Sequence, residues 1–302
     1  MTRISSLTMQ HQFQAIMVRQ QQELSETAVK VGTLKKVASY AETGADTGRV
    51  LTARSMLTQI EAQTRVTSRV DASLSFYQAR LSEIDQATSG LRAMILDAIG
   101  TGNAPTIIKE AEATFAQFRA AMNAADDGLP IFAGSRTEEL PLKAARLADT
   151  AGLDPDLAFD SDDIVQSARV APGLDMTYGI GAKEFGKKFV AAFRTIAELG
   201  TLPARPSQAQ MDKLAIAKTQ IDEGLAELRG VDARNGRAQN RIADIITRSK
   251  DREIVLTSAV SEVEDANAAS VEAELVGRKR MLEASFNAYA MLNSITLSDY
   301  LR

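Results

Sequence analysis

Apolar residues recur at alternating steps of three and four along one stretch of this chain: Leu74, Tyr77, Leu81, Ile84, Thr88, Leu91, Ile95 and Ala98. That spacing is the seam of a coiled coil rather than the broad apolar face of a globular helix. Leu57, Ile60, Thr64 and Val70 continue it upstream less regularly, so the pattern predicts one helix over residues 51–99, about 70 Å long at 1.5 Å per residue. A compact domain of about 100 residues has a radius of gyration of about 13 Å. Such a helix cannot be contained in a globule and implies a rod.

Gly100-Thr101-Gly102 predicts its end, and Pro105 then falls near the first turn of a shorter helix carrying Ile108, Ala111, Phe115, Phe118 and Met122. Asp126-Asp127-Gly128-Leu129-Pro130 closes that helix. Between residues 139 and 183 the pattern changes to short apolar fragments, among them Leu157-Ala158-Phe159, Arg169-Val170-Ala171 and Met176-Thr177-Tyr178. Pro172-Gly173 lies between the last two, which predicts a hairpin with a loop of several residues, the one β candidate in the chain.

Helical spacing returns with Phe185, Phe189, Phe193 and Ile196 and stops at Gly200 and Pro203. Ser207 and Gln210 then match a capping box for a helix bearing Met211, Leu214, Ile221, Leu225 and Leu228. A last helix is predicted over residues 234–292, roughly 85 to 90 Å long. Its stripe of Ile242, Ile245, Leu256, Ala259, Val263 and Ala266 shifts to Val271, Leu275, Leu282 and Tyr289, a register change like a coiled-coil stutter. The first thirty residues carry only the narrow stripe Met17, Leu24, Val31 among many glutamines. Such a helix gains most of its stability from packing on something else. Both ends of the chain are therefore expected to be largely disordered in the free monomer and to become helical on assembly.

Composition sharpens this reading. All seven prolines lie between residues 105 and 206, leaving both ends free of the strongest helix breaker. The 302 residues are 45% apolar and 25% charged, enough to bury a real core. A net charge of -4 with intermixed signs offers no basic stripe, so nucleic acid is not an expected partner. No cysteine is present, which removes disulfides, thiolate nucleophiles and structural zinc, and would suit export of an unfolded chain through a narrow channel. The longest apolar run in the first thirty residues is Ala15-Ile16-Met17-Val18, so neither a cleaved signal peptide nor membrane insertion is expected.

Candidate chemistry is sparse. Gly181-Ala182-Lys183-Glu184-Phe185-Gly186-Lys187-Lys188 fits the opening of a phosphate-binding loop between a possible strand and a helix. Lys188 stands where a magnesium-holding Ser or Thr is needed, so a nucleotide-binding enzyme is the minor alternative. His11 has no histidine or cysteine companion, and Glu138-Glu139 and Asp162-Asp163 lack the spacing of a calcium loop. No catalytic residue, metal or cofactor is expected.

Several stretches resemble one family. Arg3-Ile4-Ser5 is similar to the opening of flagellar hook-filament junction proteins, a branch of the flagellin superfamily, and Lys35-Lys36-Val37-Ala38-Ser39 to that family's Lys-Arg-Ile-Asn-Ser, although Glu42-Thr43 replaces its Asp-Asp. Ile131-Phe132-Ala133-Gly134-Ser135-Arg136-Thr137 resembles its Leu-Phe-Ala-Gly-Thr-x-Thr, and Arg169-Val170-Ala171-Pro172-Gly173 its central hairpin. Glu262-Val263-Glu264-Asp265-Ala266 looks like the superfamily's Arg-Ile-Glu-Asp-Ala. The stretch from Leu282 to Tyr289 and the ending Leu297-Ser298-Asp299-Tyr300-Leu301 are similar to the junction-protein tail, where flagellins carry an Ala-Asn-Gln-x-Pro stretch.

The resemblance implies a mainly α fold. Both chain ends would form long antiparallel coiled-coil helices in a flagellin-like rod, with a small β-hairpin-containing central region. Residues 1–45 with 260–302 would form the inner-tube region, 46–138 with 184–259 the rod core, and 139–183 the outer region. The implied protein is non-enzymatic, leaves the cell with an export chaperone and without a cleaved signal, and forms a homo-oligomer at the hook tip, in contact with hook, hook-associated and flagellin subunits. A short flagellin is the alternative within the class.

Overall fold

The computed structural model describes residues 2–36, 44–162 and 164–298. It is mainly helical: α1 (Thr2–Thr33), α2 (Thr47–Thr101), α3 (Ile107–Met122), α4 (Ala182–Ala197), α5 (Gln208–Glu264) and α6 (Ala268–Ser298). Two antiparallel hairpins complete it, β1 (Ala125–Asp126) with β2 (Leu129–Pro130), and β3 (Gln166–Ala171) with β4 (Leu174–Tyr178). The chain divides into two compact units, one of residues 1–59 and 251–302 and one of residues 60–250. Val37, Ala38, Ser39, Glu42, Thr43, Asp163, Tyr300 and Leu301 lie outside the described residues.

The unit of residues 60–250 is built on the predicted seam. Leu74, Tyr77, Leu81, Ile84, Leu91 and Ile95 are all buried, and α5 runs antiparallel to α2 beside them. Arg92 pairs with Asp222, Arg229 reaches Asp85 at 2.8 Å, and the Asn235 amide donates to the Leu74 carbonyl at 2.9 Å. Helices α3 and α4 close one side through an aromatic cluster. Phe115 meets Phe193 edge-on at 5.1 Å, and Phe118 packs on Phe189 and Phe193 at 5.6 and 5.4 Å. Aromatic pairs in this geometry add to the stabilisation from burial alone.

The Phe132-Ala133-Gly134 stretch is a third support. Phe132 sits edge-on between Tyr77 at 5.4 Å and Phe185 at 5.5 Å, and both Phe132 and Ala133 are fully buried. Gly134 has φ +69°, and a Cβ there would lie 2.1 Å from Asp162 Oδ1, so the turn tolerates only glycine. The Asp162 carboxylate accepts from the Ser135 backbone N–H at 2.8 Å and from that of Ile164 at 3.2 Å, and so clamps the turn.

Four expectations are corrected. The segment after α3 is a second hairpin: Asp127 (φ +49°) and Gly128 (φ +82°) form the two-residue turn that left-handed backbone at both positions produces. The β3–β4 loop is two residues rather than several. Proline fixes φ at Pro172, Gly173 takes φ +69°, and a bulge between Arg169 and Ala171 absorbs the register shift. Helix α5 does not stop before residue 234 but runs unbroken through Gly230 and Gly236. An isolated glycine costs about 1 kcal/mol in a helix, and burial of Leu228, Val231 and Asn235 in the same turns offsets it. The predicted helix to residue 292 breaks at residues 265–267, where the sequence showed only a change of register.

At the chain ends residues 2–33 and 268–298 form α1 and α6. The stripe of α1 finds its complement in α6 of the same chain.

Gly186 gives a test of the core. A Cβ there would sit 2.5 Å from Phe159 Cζ and 3.0 Å from Met122 Cε, so Gly186→Ala is expected to lower the unfolding free energy by about 1–3 kcal/mol. Gly90→Ala, with open space around it, is expected to raise it by about 0.5–1 kcal/mol. Urea denaturation of both variants checks the pair.

Candidate assembly surface

The unit of residues 1–59 and 251–302 has almost no core of its own. Of the forty-three buried apolar residues among those described, only Val50, Ala53 and Val271 belong to it. Of the twenty-one large apolar side chains that stand exposed among those described, twelve belong to it.

Helix α1 packs antiparallel on α6. Phe13 faces Tyr289 with ring centroids 6.4 Å apart, and Arg278 reaches Glu23 at 2.6 Å while holding Glu274 on its own helix. Met17, Leu24 and Val31 of α1 and Leu275, Leu282 and Tyr289 of α6 are half-buried, the expected stripes. The other faces of α6 also carry exposed apolar side chains, among charged ones such as Lys279 and Glu283. Val276, Met281, Phe286 and Met291 are 50%, 61%, 45% and 69% exposed, and at about 100° per residue each five-residue step turns the helix by about 140°. These four side chains therefore point in four directions. Apolar side chains thus stand exposed on several sides of α6 between its charged ones, exposed apolar surface is unfavourable, and α1 covers one side.

The first turns of α2 and the last turns of α5 frame an apolar groove of about 380 Å³ lined by Val50, Ala53, Met56, Leu256, Ala259 and Val263. Leu256 and Val263, predicted as seam residues, are half-buried here, whereas Ile242 and Ile245 are buried in the other unit against Val70, Val170 and Met176. Leu297 lies in the last turn of α6.

The two family-like stretches at 35–36 and 262–266 meet in space. The Lys36 N–H donates to the Glu264 carbonyl at 2.7 Å, and the Ala266 N–H to the Leu34 carbonyl at 2.8 Å. Arg54 grips Glu264 with two bonds, Nε to Oε1 at 3.0 Å and Nη2 to Oε2 at 2.6 Å. Lys35 Nζ lies 3.6 Å from the same carboxylate and bonds Asp265, which also accepts from the Ser261 hydroxyl. Asn267 then caps α6, its side-chain oxygen accepting from the Ser270 N–H at 3.3 Å. Arg54 and Asn267 were not singled out from sequence. An asparagine ahead of an alanine-rich run was the available signal for the cap, but nothing near Arg54 announces a partner 210 residues away.

The Arg54 bonds hold the Glu264 carboxyl below its ordinary range, and the Lys35 ammonium does the same for Asp265. Asp265 in turn raises the Lys35 pKa.

The phosphate-loop fragment is absorbed by the fold. Gly181 is the N-cap of α4, and Gly186 lies inside that helix against Phe159 and Met122. Lys187 pairs with Asp156 and Lys188 with Glu223. Both motif glycines have structural roles, and both lysines have carboxylate partners. His11 and Glu138-Glu139 are exposed. No helix among the described residues is long and apolar enough to cross a membrane.

Long antiparallel helices, with a helix pair at the chain ends that exposes apolar side chains beyond its own contacts, define a mainly helical, coiled-coil-like class of fold. Solved structures narrow the fold further. The chain matches one assigned as a flagellar hook-associated protein from Vibrio parahaemolyticus, with TM-score 0.61 and 17% identity over 74% of this chain and 100% of that one. It matches Bacillus cereus FlgL with TM-score 0.56 and 12% identity over 70% of this chain and 98% of that one. Xanthomonas campestris FlgL gives TM-score 0.56 and 11% identity over 68% and 98%. The chain has the fold of flagellar hook-associated proteins; at these identities the likeness is one of fold. No protein-family model matches the chain, and no curated protein matches its sequence.

The carboxylates at the 35–36/264–265 junction predict an acid response. Their folded pKa values lie below the ordinary 4.5 and 3.8, so their contribution is complete above those values and is lost as pH falls through and beneath them. Thermal melts between pH 7 and pH 3 are expected to show an acid slope that is smaller in Glu264→Gln. Equal slopes would contradict this.

Proposed function

We propose that this chain is a non-enzymatic structural subunit of the bacterial flagellum that assembles at the tip of the hook and joins hook to filament. The observation that carries the reading is the uncovered apolar surface of α6, on a chain whose fold is that of hook-associated proteins. Enclosing α6 requires further helices, and copies of the same chain supply them in a symmetric assembly. The driving force is burial of apolar surface, with no covalent step. Neighbouring copies, hook-associated and hook subunits on one side and flagellin on the other are the partners this reading implies. An export chaperone and passage to the cell exterior belong to the same reading. The likeness to hook-associated structures supports the junction role, and a short flagellin is the alternative.

The seam residues fall into two groups under this proposal. Leu74 to Ile95, Ile242 and Ile245 hold the subunit together, while Leu256, Val263, Leu275, Leu282 and Tyr289 border the surfaces that copies cover. Removing residues 284–302 takes away Phe286, Tyr289 and Met291 while sparing residues 60–250. The truncated protein is expected to remain soluble and folded but to add no ring to isolated hooks, as seen by electron microscopy. Addition at the normal level would overturn the proposal, and growth of long filaments by the intact chain alone would replace it with the flagellin role.

A further inference from the structure

We propose that Arg54, Glu264 and Lys35 form a latch that fixes the α1–α6 pair in one orientation on the ends of α2 and α5. Two chain connections join the pair to those helix ends, one following α1 and one of three residues between α5 and α6. The three residues between α5 and α6 are the kind of short connection where a hinge forms, since a few residues absorb the change in direction. Here the connections are tied to each other. The reciprocal backbone bonds between Leu34–Lys36 and Glu264–Ala266 make a small antiparallel bridge, and the Lys36 ammonium adds a bond to the Glu262 carbonyl.

Two features mark the bridge as a held state rather than a passive connection. Leu34 sits at φ +53° with no glycine to ease it, a strained conformation that persists only when its surroundings over-determine it. The Glu264 side chain is only 7% exposed, yet it carries a carboxylate. A buried carboxylate is tolerated when it is paired, and removing one partner is far more costly than the pair is favourable. Arg54 supplies both of its close bonds, and Lys35 lies farther off at 3.6 Å. Arg54 is therefore the positioning residue: it neutralises Glu264 and so keeps the bridge closed. The latch stands on this geometry alone, whatever the chain assembles into.

Because the chain has no cysteine, pairs of spin labels can be placed on the full-length protein without other changes. Ile254→Cys and Val276→Cys, on α5 and α6, are both exposed and report the orientation. Val18→Cys and Met281→Cys, on α1 and α6, report the integrity of the pair. Dipolar distance measurements are expected to give a narrow 254–276 distribution in the parent chain. In Arg54→Ala it should at least double in width, and in Arg54→Glu/Glu264→Arg it should return towards the parent value, with the 18–281 distribution narrow throughout. An unchanged 254–276 width in Arg54→Ala would overturn the latch. So would simultaneous broadening of the 18–281 pair, which would make these residues supports of the pair's fold, or broadening that the charge exchange fails to reverse.

Discussion

The constraint on which this structure depends is the unequal placement of apolar side chains between its two units. In residues 60–250, phenylalanines from α3, α4 and the 131–137 turn pack beside the two long helices, and the core closes on itself. In the other unit α6 carries apolar groups on every face and has one helix beside it. Exposed apolar area is unfavourable in rough proportion to its extent, and α6 keeps much of it, which is what the proposed assembly would remove from water.

The contacts that do exist in that unit are correspondingly selective. Between α1 and α6 those among the described residues include the Phe13–Tyr289 ring pair and the Arg278–Glu23 ion pair across the seam, with half-buried aliphatic groups between. Where the pair meets the ends of α2 and α5, the contacts become polar and dense: two crossing backbone bonds, a bidentate arginine and two lysines. Apolar contacts allow a helix pair to slide or tilt at little cost, whereas a paired buried carboxylate has a single good geometry. A fixed direction for α1 and α6 is what a symmetric assembly needs, because small angular errors repeat at every copy.

Much of this was legible in the sequence. The alternation from Leu74 to Ala98 marks a real seam, Gly100-Thr101-Gly102 does end α2, with Gly102 at φ +68°, and the stripe Phe185, Phe189, Phe193 lies in the core. Periodicity is a local signal, and these features are local. The errors arose where the deciding contact is distant or a local signal is weak. The sequence pattern predicts a separate helix from residue 234, but packing of Val231 and Asn235 in the core carries α5 unbroken through Gly230 and Gly236. The break at residues 265–267 has no proline or glycine, since it is made by Leu34–Lys36 arriving from the far end of the chain. The hairpin at Asp127-Gly128 was hidden because its strands are two residues long. The exposed faces of α6 were readable as apolar residues, yet a single-stripe reading passed over Val276, Met281, Phe286 and Met291 because they follow no stripe.

The central claim is that these four side chains are covered in the assembly. Single cysteines at Val276, Met281, Phe286 and Met291, in a chain that has none of its own, can be titrated with a water-soluble thiol reagent before and after the protein is added to isolated hooks. Rapid labelling of all four is expected in the free subunit and strong protection of all four once assembled. Continued labelling of two or more of them in the assembled state would contradict that claim.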